Sequence, residues 1–222
     1  MVSSLCHAQY SNRQLYEAYI TRDMNVWEQY IDSADWDSLD ADQRKQLLNY
    51  EYGFTAYILG IDAEKGKKMI QRFSSHLEAM KNDIPEERYC AYLASVYSYQ
   101  LALEKNQLMK YAKLIFGNIQ HAMELNANDP FVLSMQGNVE FFSPFGSKKT
   151  ALAHYQKADS LYKVAGAEYE RWNRRAVQRT YIQCLNKLRR GKEAKALCED
   201  LLAEEPNNVN FQQLWEDLNA TN

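Results

Sequence analysis

Apolar residues recur at spacings of three and four from about Asn12 to Asn219, which is the period of an amphipathic α-helix. Short polar turns divide this pattern into eleven predicted helices. The first contains Leu15 and Tyr19, and the second contains Trp27 and Ile31. The later helices are predicted at 41–59, 63–80, 85–104, 107–126, from Pro130 onward, 148–164, 167–188, 192–204 and 209–219.

Helix starts are marked by capping residues and prolines. Asp40 and Gln43 have the spacing of a capping box, in which each side chain binds a free backbone N–H at the helix start. Pro85 and Pro130 suit a first helical turn, because the N–H that proline lacks has no helical partner there. Pro206 ends the tenth predicted helix and is followed by the last.

Two patterns recur at an interval that suggests repeated helix pairs. Small residues, Gly53, Ala94 and Gly137, lie 41 and 43 positions apart in the first helices of successive pairs. The second helices carry residues spaced four and then three apart: Gly66, Ile70, Phe73; Ile115, Ile119, Ala122; Ala151, Tyr155, Ala158; and Ala194, Cys198, Leu201. The four copies predict stacked helix hairpins.

A small residue in the first helix, Ala151-x3-Tyr155-x2-Ala158 in the second, and a proline after the pair resemble the tetratricopeptide repeat (TPR) family over residues 85–206. The spacing of about 36 to 49 residues departs from the family's ~34, and the first-helix Trp is missing. The resemblance implies an all-α fold, a right-handed α-solenoid of about five antiparallel helix hairpins with a C-terminal capping helix. Apolar residues of that last helix would cover the stack or form a dimer contact: Phe211, Leu214, Trp215 and Leu218.

Composition excludes several function classes. The chain has 222 residues, 46% of them hydrophobic, which is enough to bury a sizeable core. Its net charge of -3 provides no basic field for phosphate backbones, so nucleic acid is not an expected partner. No stretch approaches the ~18 uninterrupted apolar residues of a membrane span.

Residues 1–9 lack the helical periodicity of the rest of the chain. Cys6-x-Ala8 within MVSSLCHAQ resembles the end of a signal peptide before its cleavage site. We therefore expect residues 1–11 to be an N-terminal tail that retains part of a signal peptide, and residues 12–222 to form a single domain. Segments such as LYEAYITRDMNVWEQYIDSA also resemble uncharacterised exported TPR-like proteins of Gram-negative bacteria. Together they predict a periplasmic protein; a cytoplasmic protein with a disordered N-terminus is the alternative.

Cysteine and histidine positions predict neither a metal nor a cofactor. The four cysteines form no C-x-x-C pair, and the four histidines lie far apart, so no zinc or haem signature exists. Cys184 and Cys198 could meet across one helix pair, or each could be a buried free thiol.

In the arrangement that the resemblance implies, first helices line a concave groove. Tyrosine suits such a groove, because it buries a large area with few rotatable bonds and offers a hydroxyl. The alternative is that the tyrosines fill gaps between long helices. Arg171, Arg175 and Arg179 share one helix face and could bind a carboxylate or phosphate, or form a solvated, partly paired face. The predicted binding residues are Tyr50, Glu51, Tyr57, Arg88, Tyr92, Tyr99, Asn138, Arg175 and Arg179.

No Gly-rich phosphate loop, nucleophile elbow, HExxH or ordered Ser/His/Asp arrangement occurs, so we do not expect an enzyme. The sequence favours a non-catalytic scaffold that binds an unidentified protein or peptide in a Tyr-rich groove, as a monomer or weak homodimer. Two alternatives stay open: an envelope protein that binds a sugar or anion, and a structural subunit that assembles with its own kind.

Overall fold

The computed structural model describes residues 10–220, which form eleven α-helices joined by loops and short 3₁₀ turns, with no strand in that range. The predicted all-α class is confirmed, and most helix ends lie within a few residues of their predicted positions. The helices are α1 Asn12–Thr21, α2 Met24–Ser33, α3 Ala41–Leu59, α4 Ala63–Ala79, α5 Glu86–Leu103, α6 Leu108–Leu125, α7 Pro130–Phe142, α8 Lys148–Ala165, α9 Arg171–Lys187, α10 Gly191–Glu204 and α11 Val209–Ala220.

Local capping explains several of these boundaries. At α3, Asp40 accepts from the backbone N–H groups of Asp42 and Gln43, and the Gln43 side chain accepts from the N–H of Asp40, which completes the predicted capping box. Pro130 occupies the first turn of α7 as expected. Pro85 instead precedes the first turn of α5 as its N-cap residue.

The small residues of the repeat pattern lie where helices approach closely. Gly53 faces the rings of Trp172 and Trp27, and Gly137 faces the ring of Tyr155. A Cβ atom at either glycine would come within 3 Å of those rings. All twelve residues of the four second-helix triplets are buried. The pattern therefore marks packing positions, as its periodicity predicted.

The two ends of the helix array are in contact, since α1 touches both α9 and α11. Arg22 donates from Nε to Asn210 Oδ1 at 2.9 Å, and Asn210 donates from Nδ2 to the Tyr19 carbonyl at 3.1 Å. These bonds close the array on itself, whereas an open solenoid leaves its first and last helices apart. A right-handed superhelix of five hairpins stays a prediction.

An aromatic cluster fills the space between α2, α3, α5, α7 and α9. The ring centroids of Trp27 and Trp172 lie 5.1 Å apart, and those of Tyr92 and Phe131 lie 4.3 Å apart. Tyr52 connects the two pairs, at 5.8 Å from Trp172 and 5.7 Å from Tyr92. The expected concave groove is therefore occupied by the protein's own side chains along much of its length.

The last helix covers one end of the core, with Phe211, Leu214 and Leu218 buried. Cys184 and Cys198 are free, buried thiols rather than a disulfide. Across residues 10–220 no helix is long and apolar enough to cross a membrane, and no group of three or more His, Cys, Asp or Glu side chains could hold a metal ion. The predicted signal-peptide feature at Cys6 and Ala8 lies outside the described residues.

Candidate functional site

Four of the nine predicted binding residues lie in the interior instead of on an open groove. Tyr50, Glu51, Tyr92 and Arg175 are buried. Tyr50 packs against the Trp27 ring of α2, and Tyr92 packs against the Phe131 ring of α7. The faces of α3, α5 and α9 that carry these residues therefore lie against other helices. Their role in binding a partner stays a prediction, and in this structure each of them makes contacts within the fold.

Glu51 lies on α3 and is fully buried, and its carboxylate contacts two basic side chains of α4. Its Oε1 atom accepts from Arg72 Nε at 2.9 Å and lies 2.9 Å from Nδ1 of His76. The His76 ring is also stacked on Trp36, with centroids 3.8 Å apart. An unpaired buried carboxylate is energetically costly. The contacts of Glu51 with Arg72 and His76 are therefore best explained as stabilising the packing of α3 against α4.

Arg88 and Arg175 also hold segments of the chain together. Arg88 donates to Asp129 Oδ2 and to Glu170 Oε1, both at 2.7 Å. Arg175 donates to Glu205 Oε1 at 2.7 Å. The three arginines that were predicted to form one anion-binding face have different surroundings. Arg171 lies over the Tyr16 ring, Arg175 is paired with Glu205, and Arg179 is exposed.

The remaining predicted residues are Tyr57, which is exposed, and Tyr99 and Asn138, which border a cavity of about 580 Å³. We call this cavity the α5–α7 pocket. Helices α5, α6 and α7 form its sides, and Tyr52 and Ala56 of α3 also line it. Most of its wall is apolar. The wall side chains used below are Tyr52, Ser95, Ser98, Tyr99, Ala102, Lys105, Leu108, Phe116, Met135, Asn138, Phe142 and Phe145.

The pocket exists because one face of α5 carries small side chains. Ser95, Ser98 and Ala102 lie three and four residues apart, so they share a helix face, and all three line the cavity. Ala112 of α6 faces the same space. The hydroxyls of Ser95 and Ser98 donate back to the carbonyls of Ala91 and Ala94, so these serines present little free polarity to the cavity.

The loop between α7 and α8 brings two aromatic rings to the mouth of the pocket. Phe142 and Phe145 are 68% and 75% exposed, which is a large apolar surface for two residues at one loop. The loop is held by Glu140, whose Oε2 atom accepts from the Ser147 N–H at 2.6 Å. Gly146 lies directly against the Glu140 carbonyl, which a Cβ atom at this position would approach to 2.2 Å.

The tyrosine hydroxyls of the pocket wall are already engaged. Tyr99 donates to the Tyr52 carbonyl at 3.0 Å, and the Tyr52 hydroxyl donates to the sulfur of Met135 at 3.3 Å. Burial raises the pKa of both tyrosines above the ordinary value, so both hydroxyls stay protonated at physiological pH. These groups shape the wall and are poorly suited to act as bases or metal ligands.

Sequence reasoning missed most of this wall. It placed Tyr99 and Asn138 on the binding face and did not single out Phe116, Phe142 or Phe145 as binding residues. Two signals were present: the small-residue face Ser95, Ser98 and Ala102, and the aromatic run Phe141-Phe142-Ser-Pro-Phe145 across a turn. Exposed aromatic residues at a turn lack a packing explanation, so they indicate contact with something else.

No protein-family model matches the chain, and no curated protein matches it. The TPR resemblance therefore rests on the repeat pattern alone. A solved structure with a similar fold is the haemophore HusA from Porphyromonas gingivalis, at a TM-score of 0.59 and 15% sequence identity. The similarity covers 84% of this chain and 96% of that chain. At this identity the similarity shows a shared all-helical fold.

Proposed function

We propose that this protein is a non-catalytic binding protein that holds an apolar small molecule in the α5–α7 pocket. The observation that carries the proposal is an open, mostly apolar cavity of about 580 Å³, bordered by exposed Phe142 and Phe145. Small-molecule sites are typically concave, mostly apolar and ~300–1,000 Å³ in volume. The pocket has these properties.

The wall chemistry favours binding over catalysis. Among the described residues that line the pocket there is no histidine, cysteine, aspartate or glutamate, and the tyrosine hydroxyls donate to protein acceptors. A serine or lysine nucleophile needs a neighbouring base or a lowered pKa to become reactive, and Ser95 and Ser98 donate to backbone carbonyls instead. The proposed ligand is therefore held without covalent chemistry.

The haemophore with the similar fold makes haem the first ligand to test. The apolar and aromatic walls suit a flat macrocycle, since Tyr52, Tyr99 and Phe116 offer ring surfaces. The donors do not suit the iron: the wall contains no histidine, its tyrosines are kept protonated, and the Met135 sulfur already accepts from Tyr52. The residues present therefore fit the ring of a tetrapyrrole and do not fit its metal.

A peptide is the second candidate ligand, and it corresponds to the scaffold role predicted from the sequence. It is favoured by the exposure of Phe142 and Phe145, which could seat one apolar side chain of a partner. In either role we propose that the protein acts after export, as the N-terminal sequence and the resemblance to exported TPR-like proteins suggest. A sugar or anion site at the arginines is disfavoured, because Arg88 and Arg175 are engaged within the fold.

A titration with a blocking variant tests the proposal. Ala102 is exposed and lines the pocket, so Ala102→Trp should fill the cavity without disturbing the core. Ala79→Trp, at an exposed helix end away from the pocket, is the matched control for adding an indole. Binding of the neutral dye Nile red is followed by fluorescence, and haem and a panel of apolar peptides are then added as competitors.

We expect wild type and Ala79→Trp to bind Nile red and haem, and Ala102→Trp to lose both while it unfolds at the same urea concentration as wild type. Displacement of the dye by peptides but not by haem would assign the pocket to a peptide. Equal dye binding by Ala102→Trp and wild type would show that the pocket is not the site.

A further inference from the structure

The α5–α7 pocket has one charged residue among the described side chains that line it, Lys105. Lys105 lies in the 3₁₀ turn Lys105–Gln107, between the end of α5 and the start of α6. It is exposed in the structure, so its ammonium group stays hydrated while the rest of the wall is apolar. The charge therefore lies at the mouth of the pocket.

Lys105 has no carboxylate partner among the described ion pairs. The neighbouring carboxylate, that of Glu104, accepts instead from the Tyr111 hydroxyl at 3.0 Å. Tyr111 belongs to α6, so this bond directs Glu104 toward that helix. Exposed lysines without a carboxylate partner are common. Lys105 differs from most of them because it borders an apolar cavity, where its charge can contact a bound ligand.

The other polar groups of the pocket point to the same ligand chemistry. The Oδ1 atom of Asn138 accepts from the Tyr155 hydroxyl at 2.9 Å. Its Nδ2 atom has only the Met135 sulfur, at 3.9 Å, as an acceptor. Asn138 and Lys105 thus both offer hydrogen-bond donors to the pocket, and no carboxylate of the described residues lines it. A ligand that satisfies these donors must bring acceptors.

We infer that Lys105 recognises a carboxylate on the ligand, so that the pocket binds amphipathic acids, with an apolar body inside and an acidic group at the mouth. This inference rests on the proposed function and names its ligand class. The ammonium of Lys105 pairs with the carboxylate as a charge-assisted hydrogen bond. The apolar body occupies the space beside Phe116 and Phe142. Neutral analogues of the same shape lose the ion pair and keep the apolar contacts.

The experiment compares protoporphyrin IX with its dimethyl ester, which has the same macrocycle without the acids. Both are titrated into wild type, Lys105→Ala and Lys105→Glu, and binding is followed by quenching of tryptophan fluorescence. Lys113→Ala is the matched control, because Lys113 is exposed on α6 and does not line the pocket. Urea unfolding of each variant confirms that it is folded.

For wild type we expect the acid to bind more tightly than the ester. Lys105→Ala should weaken acid binding by about fivefold, as the loss of one solvent-exposed ion pair predicts, and Lys105→Glu should weaken it further. Ester binding and the Lys113→Ala variant should not change. If both porphyrins bind and Lys105→Ala weakens neither, the inference about Lys105 is wrong while the pocket stands. If neither binds, the proposed function fails for this ligand class, and the Lys105 inference fails with it.

Discussion

Arg175 donates from Nε to the Tyr16 hydroxyl at 3.1 Å, which joins α9 to α1 across 159 positions of the sequence. The same guanidinium donates to Glu205 in the loop before α11, and the Tyr16 hydroxyl donates to that carboxylate as well. Three distant segments therefore meet at one hydrogen-bonded group. This group closes the helix array, because it holds the first helix against the last part of the chain.

Arg175→Met should destabilise the protein by about 2–4 kcal/mol, because it leaves the largely buried Glu205 carboxylate without its cation. Urea unfolding followed by circular dichroism measures the change in the free energy of unfolding. Arg190→Met is the matched control, since Arg190 pairs with Glu193 on an exposed helix end and should matter little. Equal effects of the two variants would show that the Arg175 group does not hold the array closed.

Stability should fall in acid through Glu205. Burial raises the pKa of Glu205, but hydrogen bonds from Arg175, Tyr16 and Asn208 outweigh it and leave the pKa below the ordinary value of 4.5. A lowered folded-state pKa stabilises the protein above the unfolded value, and this contribution is lost as pH falls through the folded value. The difference in unfolding free energy between wild type and Glu205→Gln should therefore be constant above about pH 5.5 and shrink below about pH 4.5. A difference that does not change down to pH 3 would contradict this.

Two glycines within helices should respond in opposite directions to the same substitution. A Cβ atom at Gly53 would lie 2.5 Å from Trp172 and 2.8 Å from Trp27, whereas one at Gly117 would meet nothing within 4 Å. Gly53→Ala should cost about 1–3 kcal/mol through overpacking of the aromatic cluster. Gly117→Ala should stabilise by about 0.5–1 kcal/mol, because alanine favours a helix interior more than glycine does. Thermal unfolding of both variants checks the sign of each change.

The local parts of the fold were predictable from sequence. The Asp40–Gln43 capping box and the start of α7 at Pro130 depend on residues within one helical turn of each other, so spacing alone reveals them. Gly53 and Gly137 were correctly identified as packing positions, because close contact between helices leaves a small-residue signal in the chain.

The burial of Tyr50 and Tyr92 was not predicted from the sequence, because it depends on contacts between distant residues. Periodicity gives the face of a helix on which Tyr92 lies, but it does not say what lies opposite. In the structure Phe131 lies there, with its ring centroid 4.3 Å away. The hydrogen bonds that bring α1 to α9 and α11 join residues more than 150 positions apart and leave no periodic pattern. The sequence therefore predicted which residues share a helix face, and it did not predict which other helices those faces pack against.

Iron should contribute little to porphyrin binding. The side-chain oxygen and sulfur atoms of Tyr52, Tyr99 and Met135, which line the pocket, are engaged with each other or with backbone. We expect haem and metal-free protoporphyrin IX to bind within about threefold of each other, since no protein ligand completes the coordination of the metal. Tyr52→Phe and Met135→Leu should leave the absorption spectrum of bound haem unchanged. A spectrum altered by either variant would identify an iron ligand and overturn this expectation.

The shape of the α7–α8 loop should control affinity without controlling stability. A Cβ atom at Gly146 would lie 2.2 Å from the Glu140 carbonyl, so Gly146→Ala must shift the backbone beside Phe145. Because Phe145 lies at the pocket mouth, loss of its contact should weaken ligand binding by about tenfold. The titration with Nile red measures this change, and urea unfolding measures the stability of the same variant.

Gly166→Ala is the matched control for Gly146→Ala, because a Cβ atom at Gly166 would approach the Tyr162 carbonyl to 2.7 Å in a loop that does not line the pocket. Both variants strain a loop backbone, and only Gly146→Ala displaces a pocket side chain. Equal loss of binding in the two variants would attribute the effect to general destabilisation. Unchanged binding in Gly146→Ala would show that Phe145 does not contact the ligand, and would leave the wall around Tyr99 and Phe116 as the binding surface.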